Sequence, residues 1–180
     1  MAVQIGAKKL AGFDQPLEML ADCHRRVEHF LDVMLRVEEI YRHQALDDQA
    51  KQALAVCEEY FCKAAVKHTA DEESSLFPRM RMALPDHHPA ISAIEGLIAE
   101  HQIAEKLHAS IQQLFDQWRL SADRLPREQA AILRSELLQI RQHYAQHILV
   151  EEQQVFPVAG TVLNSEQKAM IGKEMHARRQ

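Results

Sequence analysis

His68-Thr69-Ala70-Asp71-Glu72-Glu73-Ser74-Ser75-Leu76-Phe77-Pro78 returns 79 residues later as His147-Ile148-Leu149-Val150-Glu151-Glu152-Gln153-Gln154-Val155-Phe156-Pro157. Both stretches read H-x3-E-E-x3-F-P. A second, weaker match precedes each of them. Ala21-Asp22-Cys23-His24-Arg25-Arg26-Val27-Glu28 lies over Ile98-Ala99-Glu100-His101-Gln102-Ile103-Ala104-Glu105, at an offset of 77. Two nearly equal offsets make the repeating unit a helical hairpin, and two stacked hairpins make an up-down-up-down bundle.

The apolar periodicity supplies the helices. Leu17, Leu20, Val27, Leu31, Met34, Leu35 and Val37 keep helical spacing from a start at Asp14-Gln15-Pro16, with Asp14 as the cap and Pro16 in the first turn, to about Arg42. A second helix, capped by Asp47 or Asp48, runs to Phe77-Pro78. The three prolines between 78 and 89 break the chain, a third helix runs from Pro89 to about Trp118, and a fourth runs from the turn 121–126 to Phe156-Pro157. Asn164-Ser165-Glu166 caps a short final helix with a basic end. The expected fold is therefore all-α: a four-helix bundle over 14–158, preceded by an N-terminal extension over 1–13 and followed by a C-terminal helix and tail over 159–180.

Placed along such a bundle, the repeated histidines meet. At about 1.5 Å per residue, His24 lies ~12 Å past Pro16, His101 ~18 Å past Pro89, and His68 and His147 each ~15 Å before their proline. These helix starts and ends share one end of the bundle, so the four imidazoles fall at one level. Residues four apart share a helix side, so His68 with Glu72, and His147 with Glu151, form two facing claws. Four imidazoles and two carboxylates are too many donors for one small cation. Shared between two, with the carboxylates bridging, they leave positions open for solvent or a small ligand. Nitrogen and oxygen donors without thiolate suit iron or manganese, with zinc a poorer fit. Ferritin-like bundles use four Glu and two His on Glu-x-x-His. The imidazole excess here leaves a more positive centre, which favours the ferrous state and reversible binding of a small molecule.

The pattern His24, His68-x3-Glu72, His101-x3-Glu105 and His147-x3-Glu151, with its paired Phe-Pro endings, resembles the hemerythrin/HHE cation-binding family over residues 14–158. The resemblance implies a hemerythrin-like bundle with two non-haem iron ions held by His24, His68, Glu72, His101, His147 and Glu151. It implies binding of O2 or NO in sensing, storage or redox and iron homeostasis. Oxygen carriers of that family place a second His where this chain has Glu105, and His-x4-Asp where it has His147-x3-Glu151. The match is therefore to the bacterial branch. Iron-repair proteins resembling the family carry an extra His after the first ligand, for which His43 is the counterpart here. Glu105 stands either as a further ligand or, like Glu28, as a solvated residue or a carboxylate orienting a neighbouring imidazole. His143, one turn before His147, is read as rotated away from the claw, and His29, His87, His88, His108 and His176 as surface positions. Phe77 and Phe156 are expected to close the bundle beneath the metals.

Composition narrows the setting. The 180 residues carry a net charge of -5, a pI near 6.1, 5 Gly, 6 Pro and 11 His, with aromatics at 6%. No basic stripe speaks for nucleic acid. No apolar run reaches the ~18 residues of a membrane span, and the N-terminus lacks a signal-peptide core. Cys23, Cys57 and Cys62 lack C-x-x-C spacing and suit reduced thiols, so the expected setting is the cytoplasm. Two functions remain at the same centre: a binder of O2 or NO, and an enzyme or iron-handling factor that removes peroxide or donates iron to damaged iron–sulfur clusters. A helical interaction module without metal is the third.

Overall fold

The computed structural model describes residues 10–180, so the expected N-terminal extension lies outside the described residues up to residue 9. Among the described residues all regular structure is helical. The helices are α1 (Pro16–Tyr41), α2 (48–83), α3 (Pro89–Leu120), α4 (127–162) and α5 (Ser165–Ala177). The first four form the bundle, and α5 lies across one end against α1 and the middle of α2. No helix among the described residues is long and apolar enough to cross a membrane.

Local chemistry sets most helix starts. Asp47 accepts the Ala50 N–H at 2.7 Å to open α2, and Asn164 with Gln167 forms a reciprocal capping box at α5. His88 opens α3 by accepting the Ala90 N–H at 3.1 Å, a role its place in a proline-rich loop does not announce. Asp14 does not cap α1. Gln15 holds that position without a side-chain bond, because its own N–H is tied into a turn by Gly12 O at 2.9 Å and Pro16 begins the helix.

The two Phe-Pro pairs do not end their helices. α2 passes through a π-helical stretch at Glu72–Leu76 and continues to Ala83, and α4 passes through one at Glu151–Val155 and continues to Val162. A proline inside a regular helix lacks the N–H and clashes with the carbonyl four residues back. The wider turn inserts one residue and displaces that carbonyl, so the helix absorbs the proline instead of stopping. A third π-helical stretch, Tyr60–Ala65, occurs in α2 alone among the described residues.

The core is built in two apolar layers with a polar layer between them. On one side lie Val27, Leu31, Leu54, Phe61, Ile111, Phe115, Trp118, Leu137 and Ile140. On the other lie Leu20, Leu76, Phe77, Ile94, Leu97, Val155, Phe156, Ile171 and Met175. Along every bundle helix the two sets are separated at the same level by His24, by His68 and Glu72, by His101, and by His147 and Glu151. At ~25 cal/mol per Å2 the flanking apolar burial drives assembly and keeps the polar layer dry.

α5 is latched to the bundle beside that layer. Asp71, fully buried, accepts from Arg178 Nη1 at 2.8 Å and Arg179 Nη2 at 2.6 Å, and Arg178 Nη2 reaches Ser75 Oγ at 2.6 Å. Arg79 and Glu174 form a two-pronged pair at 3.0 and 2.7 Å. Gly172 lets the chain at Phe13 lie on α5, since a Cβ there would fall 1.9 Å from Phe13 O. Removing one side of a buried ion pair costs about 3–5 kcal/mol because a charge is left uncompensated. The double variant Arg178→Ala, Arg179→Ala should therefore lose about 3 kcal/mol in urea denaturation, and Asp71→Asn clearly less. Equal losses would show that Asp71 is not the charge being compensated.

Candidate metal centre

The polar layer brings together the six residues singled out by the repeat. Their donor atoms fall into two overlapping groups, His24, His68, Glu72 and Glu151, and Glu72, His101, His147 and Glu151, each with all its donor atoms within 4.8 Å of one another. Each hairpin supplies both imidazoles of one group, and each glutamate belongs to both. The wide turns account for this aim. Glu72 and Glu151 stand at the first position of their π-helical stretches, a place where helices often carry functional side chains.

The distances are those of a shared centre. His24 Nε2 lies 2.9 Å from Glu151 Oε2, and His147 Nε2 lies 3.4 Å from Glu151 Oε1. His68 Nε2 lies 3.2 Å from Glu72 Oε1, and His101 Nε2 lies 3.5 Å from Glu72 Oε2. The Nε2 atoms of His101 and His147 stand 3.1 Å apart. Phe156 lies flat over the His24 ring, with centroids 5.4 Å apart and planes 12° from parallel, and Phe77 is buried in the apolar layer below.

Three imidazoles are fixed from behind. The Nδ1–H of His24 donates to Glu152 at 3.0 Å, that of His101 to Glu73 at 2.7 Å, and that of His147 to Glu100 at 2.9 Å. A carboxylate on Nδ1 sets the tautomer, turns the Nε2 lone pair inward and makes the ring a stronger ligand. The second acid of each Glu-Glu doublet, which a regular helix would turn outward, thus holds an imidazole of the other hairpin. The wide turn is what turns two consecutive acids to such different tasks. His143 donates from Nε2 to Glu100 O at 2.9 Å and so points away from the centre.

Glu105 and His43 are not brought to the centre. Glu105 is exposed on α3, one turn beyond His101, where it lines the cleft between α2 and α3 outside the polar layer. His43 lies in the turn after α1, ~28 Å along the helix from His24, at the far end of the bundle. His108 is not a surface residue: its Nε2 pairs with Tyr144 Oη at 3.0 Å and its ring lies 4.2 Å from Phe61. Burial drives its imidazole down to about 4, and the neighbouring His143 adds to that. The sequence pattern reads His108 as a surface position, and its partner Tyr144 lies 36 residues away on another helix.

Electrostatics makes the layer a site for cations. Burial, then the facing Glu151 carboxylate, pushes Glu72 well above the usual carboxylate range. Burial would also raise Glu151, but the imidazoles of His147 and His24 lying against it hold it well below that range. Burial drives His68 down to about 3, helped by the other imidazoles. Burial opposes protonation of His24 and His147 too, yet Glu151 carries both above the ordinary imidazole value. All four carboxylate oxygens of Glu72 and Glu151, together with His24 Nε2, are buried without a hydrogen-bond partner among the described residues. Orphaned buried acceptors of this kind cost several kcal/mol each unless a cation takes them. The donor set, imidazole nitrogen and carboxylate oxygen without thiolate, fits a pair of first-row divalent ions.

A cleft of about 540 Å3 opens between α2 and α3 and reaches this layer at His101 and Glu73. Its floor is Phe61, Ala104, Ile111 and Phe115, and Tyr144 and His108 stand at its inner wall.

Comparison with known proteins agrees with this geometry. The family model for the hemerythrin HHE cation binding domain matches residues 15–159. An uncharacterized protein of Haemophilus influenzae is 27% identical over 178 residues, covering 96% of this chain and 95% of its own length.

The raised Glu72 has a signed consequence for the metal-free protein. Near pH 4 its carboxyl is protonated both folded and unfolded. As pH rises past the ordinary carboxylate range the unfolded chain ionises first, so the fold loses stability up to the raised value in the folded state. Chelator-treated Glu72→Gln should melt close to the parent at pH 4 and above it at pH 7, as followed by circular dichroism. A variant that melts with the parent at both would show that the two acids do not oppose each other.

Proposed function

Because the chain belongs to the hemerythrin HHE cation-binding family, we propose that it is a non-haem di-iron protein that binds a small diatomic ligand, O2 or NO, in sensing, storage or redox and iron homeostasis. The observation that carries this reading is the sharing of Glu72 and Glu151 between the two donor groups. Each of two ions would then draw on four protein donors, and an ion that prefers six would keep places free. A pair of ferrous ions bound there supplies electrons and open positions for the ligand. The protein supplies everything else: His24, His68, His101 and His147 aim Nε2 inward, and Glu73, Glu100 and Glu152 hold three of those rings in orientation. Phe156 and the apolar layers keep water from the carboxylates, and the α2/α3 cleft offers a path from the surface. The three thiols suit the reducing cytoplasm, and neither nucleic acid nor membrane enters this reading.

The size of the cleft favours a second reading at the same centre. A cavity of about 540 Å3 far exceeds what a diatomic needs and falls within the ~300–1,000 Å3 range of small-molecule sites. An enzyme that removes peroxide, or a factor that gives up iron to an acceptor such as a damaged iron–sulfur cluster, would use such an opening.

Anaerobic loading with ferrous iron separates these readings. Two irons per chain are expected, and their loss in Glu72→Gln or Glu151→Gln. A charge-transfer band that appears with O2 and fades on deoxygenation, or a stable NO adduct, supports the binder. Turnover of peroxide or transfer of iron to an acceptor supports the second reading. Ala104→Trp, which fills the cleft floor, should slow ligand association while leaving iron content unchanged. A protein that takes up only zinc, or no metal, would overturn both.

A further inference from the structure

The two halves of the centre are not equally supported. His101 and His147, both from the second hairpin, each have a carboxylate on Nδ1. In the first hairpin His24 has one, but His68 Nδ1 is buried without a partner among the described residues. The repeat explains why. The residue that holds His147 is Glu100, and the 77-residue offset places Cys23 at the matching position. The two positions are otherwise treated alike: the backbone carbonyl of Glu100 accepts from His143 on α4, and that of Cys23 accepts from Tyr60 on α2 at 3.2 Å. Only the side chain differs. The Cys23 thiol is buried and held by Arg26 Nη2 at 2.9 Å, so no carboxylate stands behind His68 at this position.

Charge around the two halves tips the same way. Arg26 sits on Cys23, and Arg178 and Arg179 together face the single carboxylate of Asp71, one residue before Glu72. The repeat places uncharged Val150 opposite Asp71. The first hairpin therefore sets two guanidinium groups against the one acid beside Glu72, whereas the second adds the carboxylate of Glu100 behind His147.

Resting on the two-ion reading above, we propose that the centre binds its ions unequally: the ion on His101 and His147 is retained, and the ion on His24 and His68 is the weaker, exchangeable one. Both ions draw on the same two bridging glutamates, so the difference lies in what stands behind the imidazoles. Loss of such a supporting partner weakens metal binding by about 10- to 100-fold, which sets the expected gap between the two dissociation constants. A retained ion beside an exchangeable one is also the arrangement that iron donation needs.

Zinc, diamagnetic and redox-silent, is the probe. The metal-free full chain, titrated with Zn2+ in a calorimeter, should bind two ions in steps separated by about 10- to 100-fold in affinity. In 15N spectra of the imidazoles, the first equivalent should shift His101 and His147, and the second His24 and His68. Glu100→Gln, a half-exposed and near-isosteric change, should weaken the first step until the two merge. Equal affinities in the parent chain, prior filling of His24 and His68, or an unchanged first step in Glu100→Gln would each overturn the inequality while leaving the two-ion reading intact. A chain that binds no ion at all overturns both.

Discussion

Two fully buried carboxylates facing each other are the constraint around which this bundle is organised. Glu72 and Glu151 place four oxygens, none with a hydrogen-bond partner among the described residues, in the middle of an apolar interior. Anions in such a position persist only when cations or protons come with them. The inward Nε2 atoms of four histidines, the raised Glu72 and the imidazoles that Glu151 carries upward are all responses to that one demand. The apolar layers above and below make the demand severe by excluding water.

The supporting residues show how the geometry is kept. An imidazole with a free Nδ1 can flip its tautomer or its ring, and a carboxylate behind it removes both freedoms. Glu73 and Glu152 do this across the hairpins, so the same bonds that orient His101 and His24 also tie the two halves of the bundle together at the metal level. α5 adds a latch from outside: its basic end, which a sequence reader would assign to solvent, neutralises Asp71 next to one bridging glutamate. The end of the chain is thus mechanically coupled to the centre, although none of its residues supplies a donor.

Much of this was legible in the residues. The duplicated H-x3-E-E-x3-F-P stretch decided the bundle, and the level of the four histidines follows from helix rise alone. What was not legible depended on a departure from the regular helix. The Phe-Pro pairs read as stops because proline normally ends a helix, whereas here a wide turn lets each helix continue to Ala83 and Val162. The same turn sends Glu73 and Glu152 to a neighbour's imidazole, where a regular helical wheel would put them in solvent. His43 entered only by likeness to relatives and Glu105 by the repeat and its place four residues after His101, and the fold leaves both exposed. His108 looked like one more surface histidine, since its partner Tyr144 lies 36 residues away and nothing local announces the pair.

Each hairpin brings two imidazoles and one acid, three of the four residues of its donor group, and borrows the last from its twin. Half of such a centre is incomplete alone, but two identical halves meeting about a twofold axis would complete each other, as the subunits of a symmetric dimer do. Joining the copies in one polypeptide makes that encounter intramolecular, and so independent of how much protein is present. It also releases the copies from being identical. Cys23 opposite Glu100, and Asp71 opposite Val150, are the marks of that freedom.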